Sequence, residues 1–174
     1  MKMKTKDLVL MAMYIAIFVV LEFLSDRFGL FKMQAGGKLS LSIIPLIIAG
    51  YQFGFGRTLF MSMIALVLKF MFNPPTFVHV VQFIMDYIVA YGSYSIVGLF
   101  KDWNVKGLAL PIGVIIANIV RFMAHNISGW VFFAEYYPVD MVKAVMVYNL
   151  TYMIPTTIVS FIVVMVIKPR LLEH

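Results

Sequence analysis

The chain has 174 residues, of which 63% are hydrophobic, 16% aromatic and only 13% charged, with no cysteine and a formal net charge of +6. Soluble domains usually carry about 25% charged residues, so this composition argues against a soluble enzyme, a disordered tail and a nucleic-acid-binding module. The lack of cysteine excludes disulfides, thiolate nucleophiles and cysteine-ligated metals. The composition is typical of a membrane protein, in which the basic excess is expected in cytoplasmic loops.

Six apolar segments predict six spanning helices, because each approaches the roughly 20 residues that a helix needs to cross a bilayer. In chain order they are residues 7–24, 39–55, 57–72, 78–100, 108–133 and 144–167. The prolines at 74 and 75 are expected to end the third segment, and Lys168-Pro169-Arg170 is expected to end the sixth. The sequence therefore predicts an all-α membrane protein, folded as a compact six-transmembrane-helix bundle in a single domain over residues 1–174.

The placement of lysine and arginine predicts the orientation of this bundle. With the N-terminus inside, eight of these residues face the cytoplasm: Lys2, Lys4, Lys6, Arg57, Lys101, Lys106, Lys168 and Arg170. Four face the other side: Arg27, Lys32, Lys38 and Lys143. This bias favours both termini in the cytoplasm. The longer connections, 25–38 and 134–143, then lie outside, and we expect a binding mouth there.

Ionisable residues inside the predicted spans are candidate functional groups, because each is costly to insert into lipid. They are Glu22, Lys69, Asp86, Arg121 and His125. At the rise of an α-helix, Asp86 and His125 both lie roughly 12 Å below the outer ends of their segments. Asn149 lies at a similar level near the start of the sixth segment. The shared depth predicts that three helices contribute to one site.

Helical spacing places Arg121, His125 and Gly129 on one face of the fifth segment. A carboxylate, an imidazole, an amide and nearby aromatic rings suit a small, planar, cationic heteroaromatic ligand. Three other interpretations stay open at this point. Asp86 and Arg121 could form a structural ion pair, His125 could be a hydrogen-bonded core histidine, and the space beside Gly129 could hold a neighbouring helix.

Ala12 and Ala16 form a small-xxx-small pair on the first predicted helix. Such pairs allow helices to approach closely, and packing within the bundle is their usual role. Docking of a partner protein is the alternative.

Four stretches of the chain resemble the substrate-binding S components of energy-coupling factor vitamin transporters, and within them the thiamine-specific branch. They are residues 33–45, 86–91, 121–133 and 148–155. The resemblance implies a multi-pass protein of the bacterial cell membrane that captures thiamine at the outer face. It further implies delivery inward with a transmembrane coupling protein and two cytoplasmic ATPases. ATP is then used by the partners, and this chain itself needs no cofactor.

The resemblance also assigns roles to individual residues. Thiamine contacts are implied for Asp86, Tyr87, His125, Gly129, Phe133, Tyr137 and Asn149. Ala12 and Ala16 match the family's docking motif for the coupling protein. Arg121 is expected to support Asp86, with contact to the ligand as the alternative.

Three positions depart from the pattern of that branch. Phe133 stands where a tryptophan can occur, Ala144 where a binding tyrosine aligns, and Gly36 or Gly37 where a loop tryptophan is expected. A different heteroaromatic vitamin or precursor is therefore an alternative ligand.

The sequence offers little support for two further classes of function. An autonomous secondary transporter is disfavoured because no repeat pair is visible. A membrane enzyme is disfavoured because the chain lacks an H-E-x-x-H motif and a second carboxylate near Asp86. We therefore expect neither a catalytic residue nor a metal site.

Overall fold

The structure is a computed structural model that describes residues 4–29, 32–33, 36–132 and 140–172. Its elements in chain order are α1 (Thr5–Phe28), α2 (Ile43–Phe53), α3 (Phe55–Phe72), α4 (Val80–Leu99), β1 (Trp103–Val105), β2 (Leu108–Leu110), α5 (Ile112–Phe132) and α6 (Met141–Leu172). Within these residues α1, α3, α4, α5 and α6 are long and apolar enough to cross a membrane, whereas α2 is shorter. The prediction of an all-α membrane bundle is confirmed, while the cytoplasmic placement of the termini stays a prediction.

Helix α2 occupies the middle of the bundle, in contact with α1, α3, α4 and α6. Ile43, Leu46 and Ile47 are completely buried, as expected for a helix that is apolar on all sides. A closely packed crossing joins α2 to the end of α4, where a Cβ atom on Gly98 would overlap the backbone carbonyl of Gly50. Residues 39–42 were predicted as part of this helix but precede it as non-helical chain. Serine side chains there bind other elements, which competes with helix formation.

Helix α4 is continuous but changes its winding along its length. A short α-helical turn, Val80–Phe83, leads into a π-helical stretch over Ile84–Val89, and the segment ends as a 3-10 helix over Ser93–Leu99. A π-helical stretch shifts the angular position of the side chains around it and is frequent at functional sites. Asp86 lies inside this stretch.

Two further predicted boundaries were wrong. Residues 101–110 were predicted as a tight turn followed by helix, but strands β1 and β2 form an antiparallel hairpin there. Its turn contains Lys106 (φ 49°) and Gly107 (φ 87°), and this pair of positive φ angles suits a two-residue hairpin turn. Helix α6 also continues through Pro169 and ends at Leu172, so the proline lies within its last turn, where few residues of helix follow it. The neighbouring Lys168 forms an ion pair with Asp102.

Candidate ligand-binding site

A cavity of about 610 Å³ lies at the end of the bundle where α1, α3 and α5 finish and α4 and α6 begin. This volume is within the range of small-molecule sites, roughly 300–1,000 Å³. Its described lining is rich in charged, amide and tyrosine side chains. The lining includes Asp26, Lys38, Lys69, Gln82, Asp86, Tyr87, Tyr91, Arg121, His125, Gly129, Tyr148, Asn149 and Tyr152.

Asp86 reaches the cavity from α4, and both of its carboxylate oxygens contact α5. Oδ1 lies 2.9 Å from Nδ1 of His125, and Oδ2 accepts a 2.6 Å hydrogen bond from the Ser128 hydroxyl. The side chain of Asp86 is 20% exposed, so the carboxylate keeps access to the cavity. The predicted convergence of Asp86 and His125 is thus present as a direct contact.

Arg121 lies deeper in the bundle than these groups and is 5% exposed. Its guanidinium donates to His125 Nε2 at 3.2 Å, to the Tyr94 hydroxyl at 2.7 Å and to the Ser40 hydroxyl at 3.3 Å. Among the described residues no carboxylate forms an ion pair with it. The proposed ion pair between Asp86 and Arg121 is therefore wrong, because the imidazole of His125 lies between them.

Helix α6 supplies amide and phenol groups to the opposite wall. Asn149 donates to Asn126 at 3.3 Å and accepts a 2.8 Å hydrogen bond from the Tyr152 hydroxyl, which orients its amide. Tyr148 packs edge-on against Tyr152, with ring centroids 5.9 Å apart. Its hydroxyl accepts a 2.9 Å hydrogen bond from the Gly37 backbone N–H. The wall therefore offers two tyrosine rings beside a fixed amide.

The chain before α2 runs along the cavity and is tied to the helices by polar contacts. The Lys38 ammonium contacts Glu22 at 2.7 Å and Asp26 at 2.6 Å, both on α1. Lys69 on α3 lies 3.1 Å from the same Glu22. Two cations and two carboxylates thus form a buried network in which each charge has an opposite partner. Non-helical backbone at this depth is tolerated because it lines a cavity.

The other predicted site residues lie in different surroundings. Tyr87 lines the cavity, but its ring also packs against Phe70 at 5.1 Å. Gly129 lines the cavity as well, yet an added Cβ would overlap the side chain of Val145 on α6, so close helix packing explains the glycine. Phe133 and Tyr137 lie outside the described residues.

Ala12 and Ala16 are exposed on the surface of α1. The same helix buries Met11 and Phe18 on its other side. The usual interpretation, close packing inside the bundle, is therefore wrong for this pair. In the described part of the chain no group of three or more His, Asp or Glu residues could hold a metal ion.

Sequence reasoning missed several lining residues. Tyr152 lies three residues after Asn149 on the same helical face, and this spacing could have identified it. Ser128, which binds the Asp86 carboxylate from outside the cavity lining, lies three residues after His125 and offered the same signal. Lys38 offered no such signal, because its burial depends on the chain turning back into the bundle after α1.

Residues 8–173 match the sequence family described as thiamine transporter protein. A relative, thiamine transporter ThiT of Bacillus subtilis strain 168, is 29% identical over 181 residues, covering 95% of this chain and 93% of the relative. A solved structure of ThiT from Listeria monocytogenes shares the fold with a TM-score of 0.73 at 20% identity, covering 97% of this chain and 98% of the other.

Proposed function

This chain belongs to the thiamine transporter family, and from that we propose that it is the substrate-binding S component of an energy-coupling factor importer. In this proposal it captures thiamine in the cavity and passes it inward with a coupling protein and two ATPases. The chain is a multi-pass bacterial membrane transporter rather than an enzyme. What we propose beyond the family assignment is the thiamine site in the cavity and the partner proteins.

The observation that carries the ligand assignment is the Asp86 carboxylate, which faces a cavity with aromatic walls. Thiamine joins a cationic thiazolium ring to an aminopyrimidine ring. The carboxylate would balance the cation, since the buried cations Lys38 and Lys69 already have acidic partners. Tyrosine rings such as Tyr148 would contact the flat rings, and the Asn149 amide would orient the aminopyrimidine.

In this proposal Tyr148 takes the role of the binding tyrosine that the family has where this chain has Ala144. It lies four residues later on α6, one helical turn further along, and lines the cavity. Its hydroxyl already binds the Gly37 backbone, so in this proposal it supports the wall and presents its ring to the ligand. The glycine in place of a loop tryptophan then leaves room for this tyrosine.

Equilibrium binding to the purified protein in detergent tests the ligand assignment. We expect saturable binding of labelled thiamine at one site per chain, displaced by unlabelled thiamine and not by a neutral vitamin such as riboflavin. Tight binding of another heteroaromatic vitamin without thiamine binding would reject thiamine and favour the alternative ligand. The same purified protein can be used to test thiamine and the alternative vitamin.

The proposed docking surface is the exposed face of α1 around Ala12 and Ala16. Leu8, Met13 and Ile17 on this helix are also exposed, so the small residues lie within an apolar surface. In lipid, small residues permit a second helix to approach closely. A coupling-protein helix is therefore the proposed occupant.

Substitution of one of these alanines separates docking from ligand binding. Ala16→Trp is expected to abolish co-purification with the coupling protein and ATPases while leaving thiamine affinity unchanged. Ile158→Trp, at an exposed position of α6, is the matched control and is expected to keep both properties. Uptake by the chain alone in liposomes, without ATPases, would contradict the proposed assembly and favour a secondary transporter.

A further inference from the structure

Arg121, His125 and Asp86 form a continuous hydrogen-bonded series from the buried interior to the cavity. Arg121 Nε lies 3.2 Å from His125 Nε2, and His125 Nδ1 lies 2.9 Å from Asp86 Oδ1. Arg121 is held from its other side by the Tyr94 and Ser40 hydroxyls. The imidazole therefore has a defined partner on each ring nitrogen.

The chemistry of these groups determines where the imidazole proton lies. A guanidinium has five N–H donors and no acceptor, so Nε2 of His125 must accept and carries no proton. The remaining ring proton is then on Nδ1, where it is donated to the Asp86 carboxylate. An imidazolium would place an N–H against the N–H of Arg121, and the contact would be lost.

We propose that Arg121 is a positioning residue that holds His125 as the neutral imidazole with its proton on Nδ1. Asp86 then keeps its full negative charge toward the cavity, while Arg121 is separated from it by the width of the ring. A protonated His125 would cancel the charge of Asp86 and remove the attraction for a cationic ligand. Arg121 thus supports selection of a cation without contacting it.

The other groups around His125 agree with this assignment. From α6 the ring of Tyr152 approaches at 6.3 Å between centroids, and from α3 the Lys69 ammonium faces the same cavity. Lys69 is a cation and Tyr152 a neutral phenol, so neither offers the imidazole a second negative partner. Among the residues that the structure describes, Asp86 from α4 is the acid that contacts the ring. The Ser128 hydroxyl donates to the other carboxylate oxygen of Asp86, so both oxygens of this carboxylate accept a hydrogen bond.

Nitrogen NMR of the full chain in detergent tests the proton position directly. The sequence contains only 3 histidines, so 15N-histidine labelling gives few signals, and His125→Asn assigns the ring of interest. We expect at neutral pH a protonated Nδ1 and an unprotonated Nε2. A ring with its proton on Nε2, or an imidazolium, would overturn the proposal.

Thiamine affinity measured against pH tests the role of Arg121. Arg121→Met removes the donor, so His125 is free to take up a proton. The ratio of its affinity to that of the wild type is expected to fall by up to about tenfold for each unit of decreasing pH. Titration of thiamine itself cancels in this ratio. Arg121→Lys keeps a cationic donor and is expected to give a flat ratio.

A purely structural role for Arg121 predicts a loss of affinity that does not change with pH, and that result would overturn the proposal. If Arg121→Met fails to fold, the wild-type NMR spectrum still decides where the imidazole proton lies. The inference about affinity rests on the proposed function, but the NMR measurement needs no ligand. A protein with the expected imidazole that binds no thiamine would therefore refute the proposed function and leave the proton assignment standing.

Discussion

The sharpest test of the cavity is replacement of Asp86 by asparagine. The substitution keeps the size of the side chain and an oxygen able to accept from His125 or Ser128. It removes the negative charge that faces the cavity. The side chain of Asp86 is 20% exposed, so the interaction is partly but not fully screened by water.

The expected magnitude follows from Coulomb's law. At an effective dielectric constant of about 20 and a separation of about 5 Å, a carboxylate and a cation attract by roughly 3 kcal/mol. At 1.4 kcal/mol for each factor of ten, this corresponds to roughly a 150-fold loss of thiamine affinity. Equilibrium binding of labelled thiamine in detergent, at one salt concentration and neutral pH, measures the loss.

Two control variants separate charge from other effects. Asp86→Glu keeps the charge and is expected to retain most of the affinity. Asp26→Asn removes a second cavity carboxylate, but one that is already paired with Lys38 at 2.6 Å. Because Lys38 already balances this charge, the expected effect on thiamine affinity is below about 1 kcal/mol, roughly fivefold. Equal affinity of Asp86→Asn and the wild type would refute the countercharge role.

The remaining predictions concern the chain before α2 and the packing around it. In Gly37→Ala the new Cβ would lie 2.6 Å from the ring of Tyr152, so we expect the melting temperature and thiamine affinity both to fall, at a cost of about 1–3 kcal/mol. Gly56→Ala, which meets no atom within 4 Å, is its control and is expected to be neutral or slightly stabilising; equal melting of the two variants would contradict the clash. Lys38→Met leaves the α1 carboxylates with fewer partners and is expected to destabilise the protein by about 3 kcal/mol in thermal unfolding. Arg57→Met is the control, because it breaks the more exposed 3.2 Å ion pair with Asp7 and is expected to cost less than about 1 kcal/mol of stability. An equal loss of stability in Lys38→Met and Arg57→Met would show that burial of the Lys38 network adds nothing.

Much of the helical fold could be predicted because each span can be recognised from its own stretch of sequence. Runs of apolar residues mark the helices, and the cost of placing charges in lipid singled out Asp86, Arg121 and His125. The β1–β2 hairpin could not be predicted in the same way, since strands of three residues are too short to show a period. The continuation of α6 past Pro169 was also missed, because a proline usually ends a helix.

The candidate site was likewise predictable only in part. The spacing of Arg121 and His125 placed them on one helical face, and depth placed Asp86 at their level. Whether Asp86 pairs with Arg121 stayed open, because the choice between an imidazole and a guanidinium depends on differences of a few ångströms. The π-helical stretch of α4 and its packing against α5 set those distances.

The sequence by itself determined that the chain is a membrane-embedded bundle of helices, which of its helices carry ionisable groups, and that Asp86 and His125 lie at one level of the bundle. Only the tertiary structure decided that His125 separates Arg121 from Asp86, that Lys38 joins a buried network and that Ala12 and Ala16 are exposed. The reason is physical. Amino-acid composition and the spacing of residues describe one helix at a time, whereas hydrogen-bond partners and exposed faces depend on how separate elements pack together.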